Sequence, residues 1–368
     1  MDQENEAPRG AVEEHDDRRE LLGLDRGELA SVLAPYIDER FRIDQIDRAI
    51  HERGVADFAD ITELSLDLRA RLAERFVVGV PKVLESRQSG DGTVKVLLEL
   101  CDGATVEAVD IPDKKRRTLC ISSQAGCALG CAFCVTGFWG AGRNLTRGEI
   151  VGQVMALRRM REDDEHGLNL VLMGMGEPLL NVENVRGALE RLSRFISWRR
   201  MTLSTAGVVP GIEMLARWPR RPNLAVSLHA PDDERRSHLM PINRSYPLKD
   251  LIAVLHRFPL DRGRRITFEY ILIDGFNDSL ADADQVVRLL AGVRGKINLI
   301  PLNPDPVLSE EMRPPAPARV EEFRQRLRAK GWVATVRRRR GDKVSAACGQ
   351  LRAPHRAPRG FRRSNISL

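Results

Sequence analysis

Cys127, Cys131 and Cys134 stand in the pattern C-x3-C-x2-C inside "CALGCAFC". Three thiolates at this spacing can hold three irons of a [4Fe-4S] cluster and leave the fourth iron open to an exogenous ligand, which makes a reactive centre. Zinc is the competing reading, because a structural zinc site takes four tetrahedral ligands. Cys120 could supply the fourth, but it falls inside the strand-like run "TLCIS", and a zinc ribbon would pair two C-x2-C units. Spacing therefore favours the cluster and leaves zinc open. The remaining cysteines are Cys101 and Cys348, six in all. An even number suits disulfides in a small secreted chain, but three of these crowd into eight residues and nothing marks export, so metal or redox chemistry is expected.

Residues that could serve such a centre fall at the ends of short apolar runs. Gly174, Gly176 and Glu177 close "LNLVLMGMGEP", Ser204 closes "MTLS", Ser227 and His229 close "NLAVSLH", and Asn303 follows "KINLIPLN". Six such runs, beginning with "TLCIS" and including "ITFEYILID", alternate with helical segments, so an α/β fold with a parallel sheet curling into an open or closed barrel is expected. Functional side chains then gather at the C-terminal ends of the strands. "TRGE" at Thr146 reads as a capping box that starts the first barrel helix, so 122–145 forms the loop between the first strand and that helix.

With 368 residues the chain has room for two or three units of about 150 residues, or one barrel with attachments. The reading along the chain is a disordered acidic tail over 1–20, a helical accessory domain over 21–87, a β-hairpin linker over 88–111 turning at Asp102-Gly103, and a core barrel over 112–310. A C-terminal helix, strand and the Cys348 loop follow over 311–351, then a basic tail over 352–368. In the helical domain Phe41, Ile43, Ile46 and Ile50 recur at helical spacing, and Gly331 is expected to cap the last helix. Cys101, at the hairpin turn, is read as a bystander.

Charge is uneven behind a net +6. Residues 330–368 carry eleven Lys or Arg against Asp342 alone, including Arg337 to Arg340, a concentration suited to phosphate binding. Aromatic residues are only 5%, so Arg contacts to a polynucleotide backbone are favoured over extended base stacking, with the N-terminal helices and the Arg337 to Arg340 strand as candidates. No apolar run is long enough to span a bilayer and no signal peptide is evident, so no membrane association and a cytoplasmic location are expected.

The segments "CISSQAGCALGCAFCVTG", "RNLTRGEIVGQV", "MGMGEPLLN", "TLSTAGVVP", "SLHAPDDERR", "KINLIPLNP" and "AACGQL" occur in this order. Together they resemble the radical SAM enzymes and, more narrowly, the RlmN family of dual-specificity RNA methyltransferases, over about residues 40 to 351. The resemblance implies a partial (βα)6 radical SAM barrel with a small N-terminal accessory domain and hairpin. It implies one [4Fe-4S] cluster per chain on Cys127, Cys131 and Cys134, and S-adenosyl-L-methionine contacted by Gly176, Glu177, Ser204, Ser227, Leu228, His229 and Asn303.

An adenine ring carbon is not nucleophilic, so simple transfer of a methyl cation would fail there and a carbon radical is needed. In the resembled chemistry Cys348 is first converted to S-methylcysteine, a case of covalent catalysis. A second S-adenosylmethionine then yields a 5′-deoxyadenosyl radical that activates that methyl group for addition to C2 of adenine. Cys120 resolves the RNA adduct through a transient disulfide with Cys348, and Glu107 accepts the proton. The implied substrates are an adenine of 23S rRNA and the adenine beside the anticodon of tRNA. The implied electron donor is of flavodoxin type, and a monomer is expected.

Methylation at C8 by the same cysteines, as in the related resistance-type enzymes, and a non-catalytic zinc-containing RNA-binding protein are the alternatives. The chain departs from the family pattern at 41–53, where the usual aromatic residue is missing, and in its basic "RRGDKVS"; the tail 352–368 lies outside the resemblance.

Overall fold

Asp25 accepts from the Glu28 amide while the Glu28 carboxylate accepts from the Asp25 amide, and this reciprocal cap opens the first helix. The structure, a computed structural model, describes residues 18–113, 116–161, 167–337, 341 and 349–351. Residues 1–17, Arg338 to Arg340, Cys348 and the tail 352–368 thus lie outside the described residues. The N-terminal module comprises β1 (Arg19–Glu20), α1 (Arg26–Leu33), α2 (Arg40–His51), α3 (Leu66–Ala73) and β2 (Phe76–Val77), with β1 and β2 paired in parallel. The acidic stretch expected to lack structure up to Glu20 is therefore ordered at its end. Ile43, Ile46 and Ile50 of α2 are buried at helical spacing, whereas Phe41 is exposed beneath the Arg42 guanidinium.

Three antiparallel strands follow: β3 (Lys82–Gln88), β4 (Val94–Glu99) and β5 (Thr105–Asp113). The expected hairpin is β4 and β5, turning where Gly103 takes a φ of 74°. β3 is a departure, since 82–87 reads as part of the helical region. It is an edge strand with mostly exposed side chains, so it carries no apolar period to betray it.

β5 pairs antiparallel with β6 (Arg116–Ile121), and from there every strand runs parallel. The order is β6, α4 (Val135–Phe138), α5 (Arg147–Arg159), β7 (Gly167–Leu172), α6 (Val182–Leu192), β8 (Met201–Thr205), α7 (Val209–Ala216), β9 (Asn223–Ser227), α8 (Asp233–Leu239), α9 (Leu248–Arg257), β10 (Ile266–Leu272), α10 (Leu280–Leu289), β11 (Gly295–Pro301), α11 (Pro317–Ala329) and β12 (Ala334–Val336). Strands β3 to β12 form one sheet in strictly sequential order, with β3 and β12 at its edges, so the six βα units of β6 to β11 make a partial barrel. The Thr146–Glu149 capping box starts α5, and Gly331 follows α11 at a φ of 87°.

Cross-strand partners share a face of a sheet. Val109 pairs with Cys120, Cys120 with Val171, Val171 with Thr202, Thr202 with Asn223, Ala225 with Thr267, and Thr267 with Lys296. Because side chains alternate along each strand, Glu107, Cys120, Ser204, Ser227, Glu269 and Asn298 all point to one face. The intervening residues, such as Leu203, Val226, Phe268 and Leu299, are buried in the main core, which also takes in apolar side chains of the surrounding helices. The sheet therefore has an apolar outer face under the helices and a polar inner face.

The N-terminal module docks on α5 and α6. A Cβ at Gly148 would lie 2.3 Å from the Leu22 carbonyl oxygen, so the two backbones touch where no side chain fits. Arg194, just beyond α6, donates to Asp47 at 2.6 Å and to Glu52 at 2.7 Å, both on the module. Burial pushes the Asp47 carboxyl up, but the hydrogen bonds from His51 and Arg194 outweigh it and hold the group at about 2. An unfolded Asp titrates near about 3.9, so Asp47 stabilises the fold above about pH 4, and that stabilisation is lost as pH falls through 2. Asp47→Asn is expected to cost about 2 kcal/mol at pH 7, with the gap to the parent narrowing below pH 4 in chemical denaturation. A gap independent of pH would remove the ionic account of this contact. Gly148→Ala is expected to lower stability by at least about 1–3 kcal/mol and to loosen the module in limited proteolysis.

Candidate active site

Ile121 ends β6, and the chain passes through buried Ser122 and Ser123 into the cysteine loop. The loop folds back on itself. Ala125 donates to the Arg143 carbonyl at 2.9 Å and Cys127 to that of Gly140 at 3.0 Å, around Gly126 at a φ of 123°. Ala132 donates to the Leu239 carbonyl at 2.9 Å, tying the loop to the end of α8. Val135 donates to the Gly349 carbonyl at 2.7 Å and the Thr136 hydroxyl to that of Leu351 at 2.7 Å. Gly349, the residue after Cys348 in the chain, is thus fastened to the cysteine loop.

Cys127, Cys131 and Cys134 line one cavity together with Gly176, Glu177, Ser204, Ser227 and His229. Burial pushes the Cys127 thiol up to about 11 and the Cys131 thiol well above the ordinary range, and the neighbouring Cys134 raises both further. Three thiols in one cavity that repel one another as thiolates call for a cationic centre among them. Among the described residues no three His, Cys, Asp or Glu side chains converge tightly enough to grip a single metal ion. The donor set and the shared cavity fit a cluster, which spreads its thiolates over separate irons.

The wall opposite the loop is built from strand ends. A Cβ at Gly174 would lie 2.7 Å from the Ile121 carbonyl, and one at Gly176, where φ is 93°, would lie 2.5 Å from the Gln124 Cβ, so both positions require glycine. Glu177 is buried; its carboxylate accepts from the Ala206 amide at 2.6 Å and the Leu179 amide at 3.0 Å. Burial lifts it to about 7 against those donors. His229 has a φ of 59°, the left-handed region that an L-residue enters only when its surroundings insist. Its Nδ1 accepts from the Ile271 amide at 3.0 Å, Phe133 meets its ring edge-on at 4.6 Å, and burial, reinforced by Arg236, pushes it down to about 3. The imidazole is therefore neutral with its proton on Nε2.

Other expected site residues stand differently. Cys120 is a buried thiol on the inner face of β6, one strand from Glu107. Glu107 is buried in an ion pair with Lys95 at 2.8 Å. The Leu228 side chain belongs to the core, so only its main chain is available to a ligand. Asn303 lies two residues beyond β11, half-buried. No disulfide is present among the described residues, and Cys348 is outside them. Cys101 is remote from the cavity, its thiol donating to Glu20 at 2.7 Å.

Two residues of consequence, Arg236 and Glu269, were not anticipated, and Arg337 was expected in another role. Arg236, fully buried on α8, donates to the carbonyls of Ala206 at 2.7 Å, Ser227 at 2.9 Å and Leu228 at 3.1 Å, and to Asn243 at 2.6 Å. Burial lowers its guanidinium to about 10, which leaves it charged at neutral pH. Glu269 lines the cavity from β10, accepts from Asn298 at 2.7 Å, and is raised by burial. Arg337 also lines it, with a nitrogen 3.9 Å from the Met173 sulfur. The leading Arg of the run expected to form an outer phosphate surface thus faces the cavity. Arg236 sits in "SLHAPDDERR", but a buried arginine on a charged helix gives no pattern to read.

A partial (βα)6 barrel with three cysteines in the loop after its first strand is the arrangement of a radical SAM enzyme. The family model of the radical SAM superfamily matches residues 121–290, and that of the ribosomal RNA large subunit methyltransferase N-terminal domain matches residues 19–78. A dual-specificity RNA methyltransferase RlmN of Halorhodospira halophila is 46% identical over 92% of this chain and 95% of its own. That of Syntrophobacter fumaroxidans is 46% identical over 87% and 94%. A crystal structure of a radical SAM methyltransferase from Sphaerobacter thermophilus superposes with a TM-score of 0.87 at 45% identity, covering 91% of this chain and 99% of that one. The chain belongs to the RlmN family of dual-specificity RNA methyltransferases. It is a SAM-dependent enzyme of the radical SAM superfamily, whose members employ a [4Fe-4S] cluster.

Arg236→Met would take a donor from the carbonyls of Ala206, Ser227 and Leu228, at the ends of β8 and β9, and from the Asn243 side chain. The expected loss is about 3–5 kcal/mol by denaturation, with weakened S-adenosylmethionine binding in whatever fraction folds. A loss below about 1 kcal/mol would mean that these carbonyls find other donors.

Proposed function

We propose that this enzyme methylates C2 of a specific adenine in 23S rRNA and of the adenine next to the anticodon in tRNA. The observation that carries the reading is the meeting of three parts at one cavity: the cysteine loop, the strand ends from Gly174 to His229, and Gly349, the chain neighbour of Cys348. The cluster, when bound, supplies the electron that cleaves S-adenosylmethionine to a carbon-centred radical. Cys127, Cys131 and Cys134 hold it. Gly176, Glu177, Ser204, Ser227, the Leu228 main chain, His229 and Asn303 are assigned to S-adenosylmethionine. The neutral His229 offers Nε2–H as a donor, and Glu177 holds the turn by accepting two amides.

Cys348 carries the one-carbon unit. Its thiolate takes a methyl group from one S-adenosylmethionine, and the resulting thioether, after losing a hydrogen atom, bonds to C2 of the target base. A second S-adenosylmethionine is consumed in that activation. Glu107 accepts the proton lost from C2. After the adduct has returned one electron to the centre that supplied it, the Cys120 thiolate attacks the Cys348 sulfur, the bond from that sulfur to the methylene carbon breaks, the carbon takes up a proton to become the methyl group, and a Cys120–Cys348 disulfide is left for an external reductant to reopen. Support for the pair comes from the sheet register, which sets Glu107 and Cys120 on the inner face of adjacent strands. The target adenine must leave its stack to be reached, so a loop or an extruded base is the substrate. A flavodoxin-type protein as electron donor and action as a monomer complete the proposal.

Anaerobic reaction with methyl-labelled S-adenosylmethionine, followed by mass analysis of digested RNA, is expected to yield 2-methyladenosine; 8-methyladenosine alone would overturn the regiochemistry. Cys120→Ala is expected to trap RNA covalently on Cys348, whereas Cys348→Ala should form no adduct. A Cys120→Ala enzyme that turns over freely would remove the resolving role.

A further inference from the structure

The proposed chemistry uses one end of the barrel, and the polar inner face continues to the other. Thr202, Asn223, Thr267 and Lys296 stand at the first or second position of β8, β9, β10 and β11. By register they share the face of Ser204, Ser227 and Glu269. They line a second cavity of about 350 Å³, completed by Arg199, Gly263, Arg264 and Arg265 from the segments that enter the strands. Strands of five to seven residues, at about 3.3 Å per residue, hold the two mouths roughly 15–20 Å apart.

The chemistry of this mouth is one-sided. Arg199, Arg264, Arg265 and Lys296 face it together with two hydroxyls and an amide; among the described residues neither a carboxylate nor an aromatic ring lines it. Arg264 is the built element. Its side chain is only 11% exposed, its Nη1 donates to the Arg221 carbonyl at 2.7 Å, and among the described residues its buried Nε–H has no hydrogen-bond acceptor. Asp261 approaches that Nε at 3.2 Å out of line, and it is shared with Arg221 at 3.4 Å. Among the described residues Arg199, Arg265 and Lys296 have no ion-pair partner. Burial pushes the Arg264 guanidinium down, and Arg199 and Arg221 add to this against Asp261. The cluster thus holds more positive charge than its own carboxylate offsets.

We infer that this N-terminal mouth of the barrel is a second binding site, one that takes phosphate groups of an RNA backbone. A phosphodiester brings acceptor oxygens and negative charge to the uncompensated cations that line the mouth. The cationic lining reads charge and ignores base identity, because among the described residues it has no ring to stack a base. Exposed Arg220 and Arg262, in the segments that enter β9 and β10, extend the positive surface beyond the cavity, as a polymer requires and a small phosphate compound does not. A folded RNA that presents one adenine at the far mouth can be gripped here without reference to its sequence. The choice of RNA rests on the methyltransferase reading; the phosphate site itself does not.

The test uses the whole chain and the double variant Arg265→Glu/Lys296→Glu, which alters two exposed side chains outside the methylation pocket and is expected to leave the melting temperature unchanged. Two probes are applied: inorganic phosphate, followed by ³¹P line broadening, and a labelled random-sequence oligoribonucleotide, followed by anisotropy at several salt concentrations. The parent should broaden the phosphate line and the variant should not. The slope of log affinity against log salt for RNA should fall by about 0.7 for each phosphate no longer neutralised. A reduced RNA slope supports the site even if free phosphate binds too weakly to be seen. Loss of the phosphate response with an unchanged RNA slope would overturn RNA as the occupant in favour of a small phosphate compound. No difference between parent and variant with either probe would overturn the site.

Discussion

Side chains alternate across a β-strand, and the architecture of this enzyme depends on that constraint being carried without interruption across one sheet. From β5 to β11 each strand passes its register to the next, so the inner face at one strand is the inner face at all of them. Glu107 and Cys120 thereby look into the same space as Ser204 and Ser227, although they lie far apart in the chain. A slip of one residue at any strand would turn its functional side chains into the helical layer and its apolar ones into the lumen. The apolar outer face under the helices is what forbids the slip.

A polar inner face carries a cost, since buried polar groups must be partnered. The pocket meets this with main-chain donors and one arginine. Glu177 takes two amides, His229 takes one at the expense of a left-handed backbone, and Arg236 binds carbonyls at the ends of β8 and β9. These contacts fix the strand ends relative to one another, so the wall facing the cysteine loop is formed before any ligand arrives. The loop is held in the same manner, by amide contacts to α8 and to Gly349.

Much of the fold was legible in the chain because its signals are local. Alternating apolar runs announced six parallel strands, and Thr146 with Glu149 announced the start of α5. β3 escaped because an exposed edge strand has no buried stripe, and the pairing of Glu107 with Lys95 escaped because it joins two strands. Arg236 and Glu269 escaped for a related reason: a charged residue in a charged or apolar stretch carries no mark of the cavity it will face.

What the sequence by itself determined is the chemistry available: three thiols at cluster spacing, glycines where backbones must approach, and the order of strands that lines up their ends. These depend on residues near one another in the chain, so spacing alone conveys them. Only the tertiary structure decided which side chains share the lumen, that Arg236 clamps the strand ends, that Arg337 turns into the pocket, and that unneutralised cations gather at the opposite mouth. Each of these requires strands distant in sequence to come into register, and that register is set by the packing of the whole sheet against its helices.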